Sequence, residues 1–209
     1  MDQKSLTQIL AEGENQKQVF LLDVSDKWNT AILISSLANT DGGSLWIGVK
    51  SSGKITGVYA DGILKELEQL IKQFFQVPYK LESQTWKNKV HFVVEVKVAK
   101  SKDPVFIIND RKQSVLFNRH STKSVQASKI TLKEVQFKSQ DKILSDELSA
   151  EELEIINFLD QNGELSLSQL YKRLTMEKSK IDLILSQLVY RKLVEKNLST
   201  EIIHYRIRQ

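Results

Sequence analysis

Lysine and arginine supply most of the chemistry that this chain offers. From Leu165 to the C-terminus, nine basic residues (Lys172, Arg173, Lys178, Lys180, Arg191, Lys192, Lys196, Arg206 and Arg208) stand against four acids, Glu177, Asp182, Glu195 and Glu201. Cations at that density suit phosphate oxygens, with Ser179 as a further hydroxyl donor, although the same residues also fit a solvated helical face. Arg119, followed by His120, Ser121, Thr122 and Lys123, is an arginine at a strand end with hydroxyls nearby. It suits phosphate, and an ion pair with Glu14 or Asp41 explains it equally well. Other chemistries find less support. The chain has no cysteine, which removes disulfides, thiolate metal sites and cysteine nucleophiles together. His91, His120 and His204 are too dispersed for metal-ligand spacing or for a serine triad. Gly42-Gly43, Gly48, Gly53-Lys54 and Gly57 hint at a phosphate loop, but Gly53-Lys54 runs into Ile55 and a strand pattern, where such a loop needs a hydroxyl residue and a helix. Turns and close packing are the expected roles of those glycines. Trp28, Trp46 and Trp86 are able to stack on bases, yet Trp46 alternates with residues of a buried strand and reads as core.

The elements that must position these groups follow from pattern. At 209 residues the chain fits one large or two small domains, and its net charge of +4 and pI near 9.1 allow nucleic-acid binding without demanding it. An apolar helical face (Ile32, Leu33, Leu37) ends at Asn39-Thr40-Asp41-Gly42-Gly43, residue types that tolerate the positive φ of a helix exit. A buried strand, Ser44 to Val49, follows, then a turn at Ser51-Ser52-Gly53-Lys54 and a second short strand, Ile55 to Val58. Ile63 to Phe75 repeats apolar residues at helical spacing. Lys80 to Trp86, Val90 to Val98, Val105 to Ile108 and Val115 to Phe117 read as strands. In the second of these, His91, Val93, Glu95 and Lys97 alternate with Phe92, Val94, Val96 and Val98, so one face is expected to be solvated and the other buried. The N-terminal MDQKSLTQIL lacks the pattern of a secretion signal and no apolar run approaches the ~20 residues of a membrane span, so a cytoplasmic protein without membrane association is expected.

The run Ala38-Asn39-Thr40-Asp41-Gly42-Gly43-x-Leu45-x-Ile47-Gly48-Val49, followed by a turn and Gly53-Lys54-Ile55 and Gly57-Val58, resembles the Schlafen AlbA-type family of DNA-binding domains. Gly13-Glu14 upstream and Arg119 with Ala127-Ser128 downstream are similar to that family in matching order, over about the first two thirds of the chain. The resemblance implies an α+β fold with an AlbA-like mixed sheet and packed helices, and nucleic acid as partner. Arg119 matches the arginine of the family's Arg-Val-Gly-like turn. In RNA-cleaving members a carboxylate cluster is thought to hold a divalent metal, with acids in the G-E motif, five residues on, and after the I-G-V strand. Oxygen ligands suit a hard cation such as Mg²⁺. This chain keeps Glu14 but has Val19, Phe20 and Leu21 at the second place and Lys50, Ser51 and Ser52 at the third. Two of three acids are absent, with Glu12, Asp23 and Asp41 as the nearby substitutes, so metal-dependent cleavage is not expected.

Composition shifts between about Phe137 and Leu148, a segment of alternating charge that reads as a linker or a frayed helix end. Beyond it, Ser149 caps a helix with Glu151 and Glu152 in its first turn and a buried face of Leu153, Ile156, Phe158 and Leu159. It ends at Asn162-Gly163. A second helix begins near Ser166 or Ser168, and a third spans about Glu177 to Leu193. That third helix is expected to bury Ile181, Ile184, Leu185 and Leu188 and to leave Lys178, Ser179, Asp182, Ser186 and Gln187 outward, with Leu183 exposed. Asp182, at a base-reading position, would repel phosphate. Two β-prone segments, Val194 to Asn197 and Ile202 to Ile207, flank Leu198-Ser199-Thr200-Glu201. This tail resembles the winged helix-turn-helix of bacterial regulators, which implies a third helix entering the major groove and a wing touching phosphates. The acids of the first helix are expected to lie elsewhere.

The combined expectation is a family-like domain over 1–138, a linker over 139–147 and a winged helix over 148–209. The residues expected at nucleic acid are Lys172, Arg173, Lys178, Ser179, Lys180, Arg191, Lys192, Arg206, Arg208 and Arg119, with Glu14, Asn39, Thr40, Asp41, Gly42, Gly43 and Gly48 as family motif. The partner is double-stranded DNA, with RNA as a further candidate. The protein would be a homodimeric transcriptional regulator with no catalysis, cofactor or metal. Its alternatives are a degenerate Schlafen-like endoribonuclease and a protein-interaction scaffold.

Overall fold

A computed structural model describes residues 5–145, 147–197 and 202–208, which leaves Met1–Lys4, Asp146, the expected wing turn Leu198-Ser199-Thr200-Glu201 and Gln209 outside the described residues. The chain divides into two units, Met1–Gln126 and Ala127–Gln209. In the first, α1 (Leu6–Ala11) precedes β1 (Gln18–Leu21), α2 (Lys27–Ala38), β2 (Gly43–Ile47), α3 (Ala60–Phe74), β3 (Glu82–Asn88) and β4 (His91–Val98). Two short ribbons close it, β5 (Ile107–Ile108) with β6 (Ser114–Val115) and β7 (Phe117–His120) with β8 (Lys123–Gln126). The sheet runs β1-β2-β4-β3, parallel only between β1 and β2, whose connection is α2. It is a mixed sheet in an α+β fold.

Both faces of the sheet are covered, which corrects the expected solvated face of β4. On one face, Val94, Val96 and Val98 join Leu45 and Ile47 against Ile34 and Leu37 of α2 and Leu67 and Leu70 of α3. On the other, Val93, Trp46 and Phe20 pack with Leu6 and Leu10 of α1 and with Trp86. Glu95 is also buried there, accepting hydrogen bonds from Ser44 Oγ at 2.8 Å and Trp86 Nε1 at 3.2 Å. Phe92, expected inside, is instead exposed at the strand's start. A short amphipathic helix far away in sequence thus covers a face whose alternating pattern reads as half polar.

The expected strand Ile55 to Val58 does not form. Val49 and Ile55 share a single antiparallel bridge, after which the amides of Thr56 and Gly57 both donate to the Gly48 carbonyl, at 2.8 and 3.0 Å. Two donors converging on one carbonyl replace a ladder, and the Val58 amide then reaches Phe92 O at 2.8 Å. Upstream, the helix exit follows expectation. Asn39 caps α2, and Gly42 and Gly43 carry φ of 70° and 154°. A Cβ on Gly43 would stand 2.3 Å from Lys17 O and one on Gly42 2.7 Å from Val98 O, so only glycine lets the chain pass between β1 and β4.

The boundary between units falls near Gln126 rather than at 138, because α4 (Lys129–Ser139) packs on a helix of the second unit. That unit continues with α5 (Ala150–Asn162), β9 (Leu165–Ser166), α6 (Leu167–Arg173), α7 (Lys178–Tyr190), β10 (Val194–Asn197) and β11 (His204–Ile207). Its sheet runs β10-β11-β9, antiparallel throughout. Ser149 and Ser166 each form a capping box, with Glu152 and Gln169. Ile155, absent from the expected core, is fully buried with Leu159, whereas Leu153 is exposed. The expected buried residues of α7 are buried. Asp182 and Ser186, expected outward, are buried too: Tyr171 of α6 stands against Asp182, and the Ser186 hydroxyl turns back to the Leu183 carbonyl at 2.7 Å. Asp182 accepts a hydrogen bond from the Tyr171 hydroxyl. Burial and that bonded carboxylate push the Tyr171 pKa well above its ordinary value.

Two outcomes follow. Asn39→Ala should cost about 2–4 kcal/mol in urea unfolding, since its carboxamide serves backbone groups of Val105 and Phe117 that would be orphaned. Glu134 of α4 is half-buried; burial raises its pKa, but ion pairs with Lys196 at 2.8 Å and Lys138 at 2.7 Å outweigh this and hold it below the ordinary 4.5. A carboxylate lowered by folding stabilises above its unfolded pKa and loses that contribution as pH falls through the folded value. Thermal melts of the parent should therefore drop below about pH 4.5 more steeply than those of Glu134→Gln.

Candidate nucleic-acid interface

The basic residues of the second unit do not form one surface. Helix α7 is 13 residues long, about 20 Å at 1.5 Å per residue, and it separates them into two groups. At its start stand Lys178, Ser179 and Lys180, with Lys172 and Arg173 in the last turn of α6. At its end stand Arg191 and Lys192, and the Arg208 amide donates to Leu193 O at 3.0 Å. Arg206 is on β11, opposite Glu195.

Carboxylates occupy several of these cations, which corrects the expectation that the acids of the first helix lie elsewhere. Glu151 of α5 pairs with Lys180. Glu152 holds Arg191 at 3.0 Å, with both side chains largely buried, and Arg191 also donates to Ser145 O in the segment expected as linker. Glu195 pairs with Arg206 at 2.6 Å. Lys192 and Arg208 are exposed. At the start of α7 the situation differs. Lys172, Arg173 and Lys178 are exposed, and among the described residues no carboxylate pairs with them. Arg173 reaches only Asn162 Oδ1, at 3.4 Å, and Lys178 sits 5.7 Å from the centroid of the Tyr171 ring. No side chain caps α7, whose N-cap residue is Glu177; the Glu177 carboxylate accepts from Ser179 Oγ at 2.6 Å. Uncapped first-turn amides and the positive end of the helix dipole face this basic corner.

In the first unit the two open explanations of Arg119 give way to a third. The residue is 3% exposed, and its guanidinium donates to Ser124 Oγ at 3.5 Å and Asn15 O at 3.4 Å, while Nε has no partner among the described residues. Burial lowers its pKa from the ordinary value, and the nearby Glu14 charge opposes the shift. Neither Glu14 nor Asp41 makes an ion pair with it. Glu14 accepts the Phe20 amide at 3.0 Å, and Asp41 binds Lys100 at 3.2 Å and Gln16 at 3.1 Å. Arg119 is a packed strand residue whose amide donates to Thr40 Oγ1 at 2.8 Å.

The family motif likewise proves to be a joint. Asn39 Nδ2 donates to Val105 O and Phe117 O, each at 3.0 Å, and its Oδ1 accepts the Val105 amide at 2.7 Å. Thr40 Oγ1 donates to Ser36 O at 2.9 Å. Among the described residues, no three His, Cys, Asp or Glu side chains gather as a metal-holding group. A cleft of about 520 Å³ opens where β1 and β2 end and α2 begins, lined by Asp23, Asp26, Asn29, Lys50 and Ser51 among others. Hydrogen bonds from Ser25 hold Asp23 below its ordinary pKa. Sequence reasoning missed a further feature, the basic tip of the β3–β4 hairpin; its signal was two acid-free stretches, 42–60 and 83–94.

No helix among the described residues is long and apolar enough to cross a membrane. No curated protein matches the chain. Among solved structures, it is similar to the N-terminal domain of a RecG-related protein from Nitrosomonas europaea, at 17% identity and a TM-score of 0.44, over 70% of this chain and 99% of that one. It is also similar to the DIP2311 protein from Corynebacterium diphtheriae, at 18% identity and a TM-score of 0.43, over 58% of this chain. The match spans only 24% of DIP2311. Residues 13–128, which hold Glu14, the Asn39–Gly43 joint, the mixed sheet and Arg119, match the family model described as Schlafen, AlbA_2. That is more than half of the chain, which therefore belongs to the Schlafen, AlbA_2 family.

Proposed function

We propose that this protein is a non-catalytic DNA-binding protein, a transcriptional regulator whose second unit is a winged helix that docks on duplex DNA. Membership of the Schlafen, AlbA_2 family supports a nucleic-acid role. The order helix, strand, helix, helix, hairpin, with β11 between β10 and β9, supports the winged-helix assignment. The observation that carries the reading is the uncapped start of α7 beside Lys172, Arg173 and Lys178, three exposed cations without carboxylate partners among the described residues. Cations and uncapped amides at a helix start receive phosphate oxygens. Glu177, at the same corner, would oppose the ligand's charge. Metal-dependent RNA cleavage is not proposed, since Val19 and Lys50 stand at two of the acidic positions.

A protein-docking role for the same unit draws on α7 itself. Its open side carries Leu183, 38% exposed, and Lys180 there is already neutralised by Glu151. Salt dependence separates the two readings, because phosphate contacts make log affinity fall with log salt.

In fluorescence-anisotropy titrations with duplex DNA, Lys178→Glu should weaken binding about tenfold or more and lower the salt slope by about 1. Glu177→Gln should strengthen binding about twofold to fivefold by removing a repulsive charge at the edge of the site. Duplex affinity that ignores salt and both substitutions would end this reading.

A further inference from the structure

The geometry points to a second nucleic-acid surface, on the first unit: the tip of the β3–β4 hairpin, with Lys87, Lys89, Phe92 and Tyr59, binds single-stranded nucleic acid by combining phosphate contacts with base stacking. The inference rests on the nucleic-acid reading for the class of ligand and assigns it a different site and a different strand state.

Three observations converge. The first is charge. Residues 42–60 and 83–94 contain Lys50, Lys54, Lys87, Lys89 and His91 and no Asp or Glu. Tertiary structure brings these stretches together: the Val58 amide donates to Phe92 O at 2.8 Å, and a Cβ on Gly57 would stand 2.9 Å from the His91 side chain. The four lysines are exposed, and among the described residues none of them has an ion pair. Asp41, Asp61, Glu82 and Glu95 bound the two stretches; of these, Asp41 is paired with Lys100 and Glu95 is buried. This differs from the second unit, where acids quench Lys180, Arg191 and Arg206.

The second is the aromatic surface. Tyr59 is 78% exposed and Phe92 42% exposed, although ring burial is the usual fate of such residues in a domain of this size. Phe92 pairs directly with Lys87 across the hairpin and is in line with Val94 and Val96 on the sheet face that α3 covers. Tyr59 immediately precedes α3, and its neighbours Val58 and Ala60 pack into that same core. Phe92 and Lys87 therefore lie on one side of the sheet's end, and Tyr59 follows directly on Val58, whose amide is bonded to Phe92 O. Stacking on ring faces needs unpaired bases, so this surface selects single strands over duplex.

The third is backbone strain at the tip. Asn88 pairs with His91, leaving Lys89 and Val90 as a two-residue loop in which Lys89 adopts φ 55°. Glycine is the favoured residue at such a position. A lysine held there against its conformational preference presents a cation at the turn of the hairpin, beside Val90 at 82% exposure.

The test uses the full chain with short fluorescein-labelled oligo(dT), oligo(U) and duplex DNA. The parent should bind at least one of the two oligomers at low salt, with the two arms deciding between DNA and RNA. A Lys87→Glu/Lys89→Glu variant should lose about tenfold or more in oligomer affinity and Phe92→Ala about tenfold, with the salt slope falling in the first and unchanged in the second. Lys89→Gly separates binding from folding: relieved of strain, it should melt no lower than the parent yet bind the oligomer more weakly. Lys178→Glu should leave oligomer binding intact. No oligomer binding by the parent, or unchanged affinity in the Lys87/Lys89 variant, overturns this site. Loss of duplex binding alone would overturn only the winged-helix reading.

Discussion

The side chain of Asn39 is the tie on which the first unit depends. A carboxamide offers two donors and an acceptor in one plane, and here Nδ2 spans Val105 O and Phe117 O while Oδ1 takes the Val105 amide. One residue at the end of α2 thereby fixes two later segments, 66 and 78 residues on in sequence. Neither segment belongs to the four-stranded sheet, so neither has its ladder to hold it. Thr40 extends the tie by accepting the Arg119 amide. Aspartate, with no donor, and leucine, with no polar atom, would each leave carbonyls unpaired.

Immediately beyond this tie, the chain must pass from α2 into the centre of a sheet. Gly42 and Gly43 meet that demand because the backbones of Lys17 and Val98 stand where any Cβ would go. The consequence is a parallel β1–β2 pair with β4 clasped on the other side of β2, buried on both faces. The buried tryptophan Trp46 therefore serves the core, packed at 5.8 Å centroid distance against Trp86. Of the rings left in solvent, Phe92 lies opposite Lys87 of the hairpin, and Tyr59 precedes α3.

Charge in the second unit is organised by packing rather than by count. Burying Glu152 against Arg191 ties the start of α5 to the end of α7, and Lys196 bridges β10 to Glu134 of α4. Breaking a partly buried pair of this kind costs the fold more than breaking a surface pair, so its cation is withdrawn from any ligand. What remains is a local surplus at the start of α7, with Lys192 and Arg208 exposed at its other end.

Local events could be read from the residues without the fold. The helix exit at Asn39 to Gly43, the Ser149 cap, a helix start near Ser166 or Ser168, the period of α3 and the buried ridge of α7 were all legible, because each depends on residues within a turn or two of one another. The α+β class and the family followed from the same short-range grammar. Long-range packing, by contrast, set which polar residues are buried and which cations are free. Val93 and Glu95 alternate like a solvated face, but α1 closes over Val93, and Ser44 and Trp86 hold the buried Glu95. Asp182 and Ser186 fall on a polar stripe, but both are buried, Asp182 against Tyr171 of α6. Lys180 and Arg191 count as basic in sequence, yet acids about 30 and 40 positions away neutralise them. Such pairings depend on distance in space, which a single chain of letters does not encode locally, and they move the reading from a general basic tail to one corner of α7 and one hairpin tip.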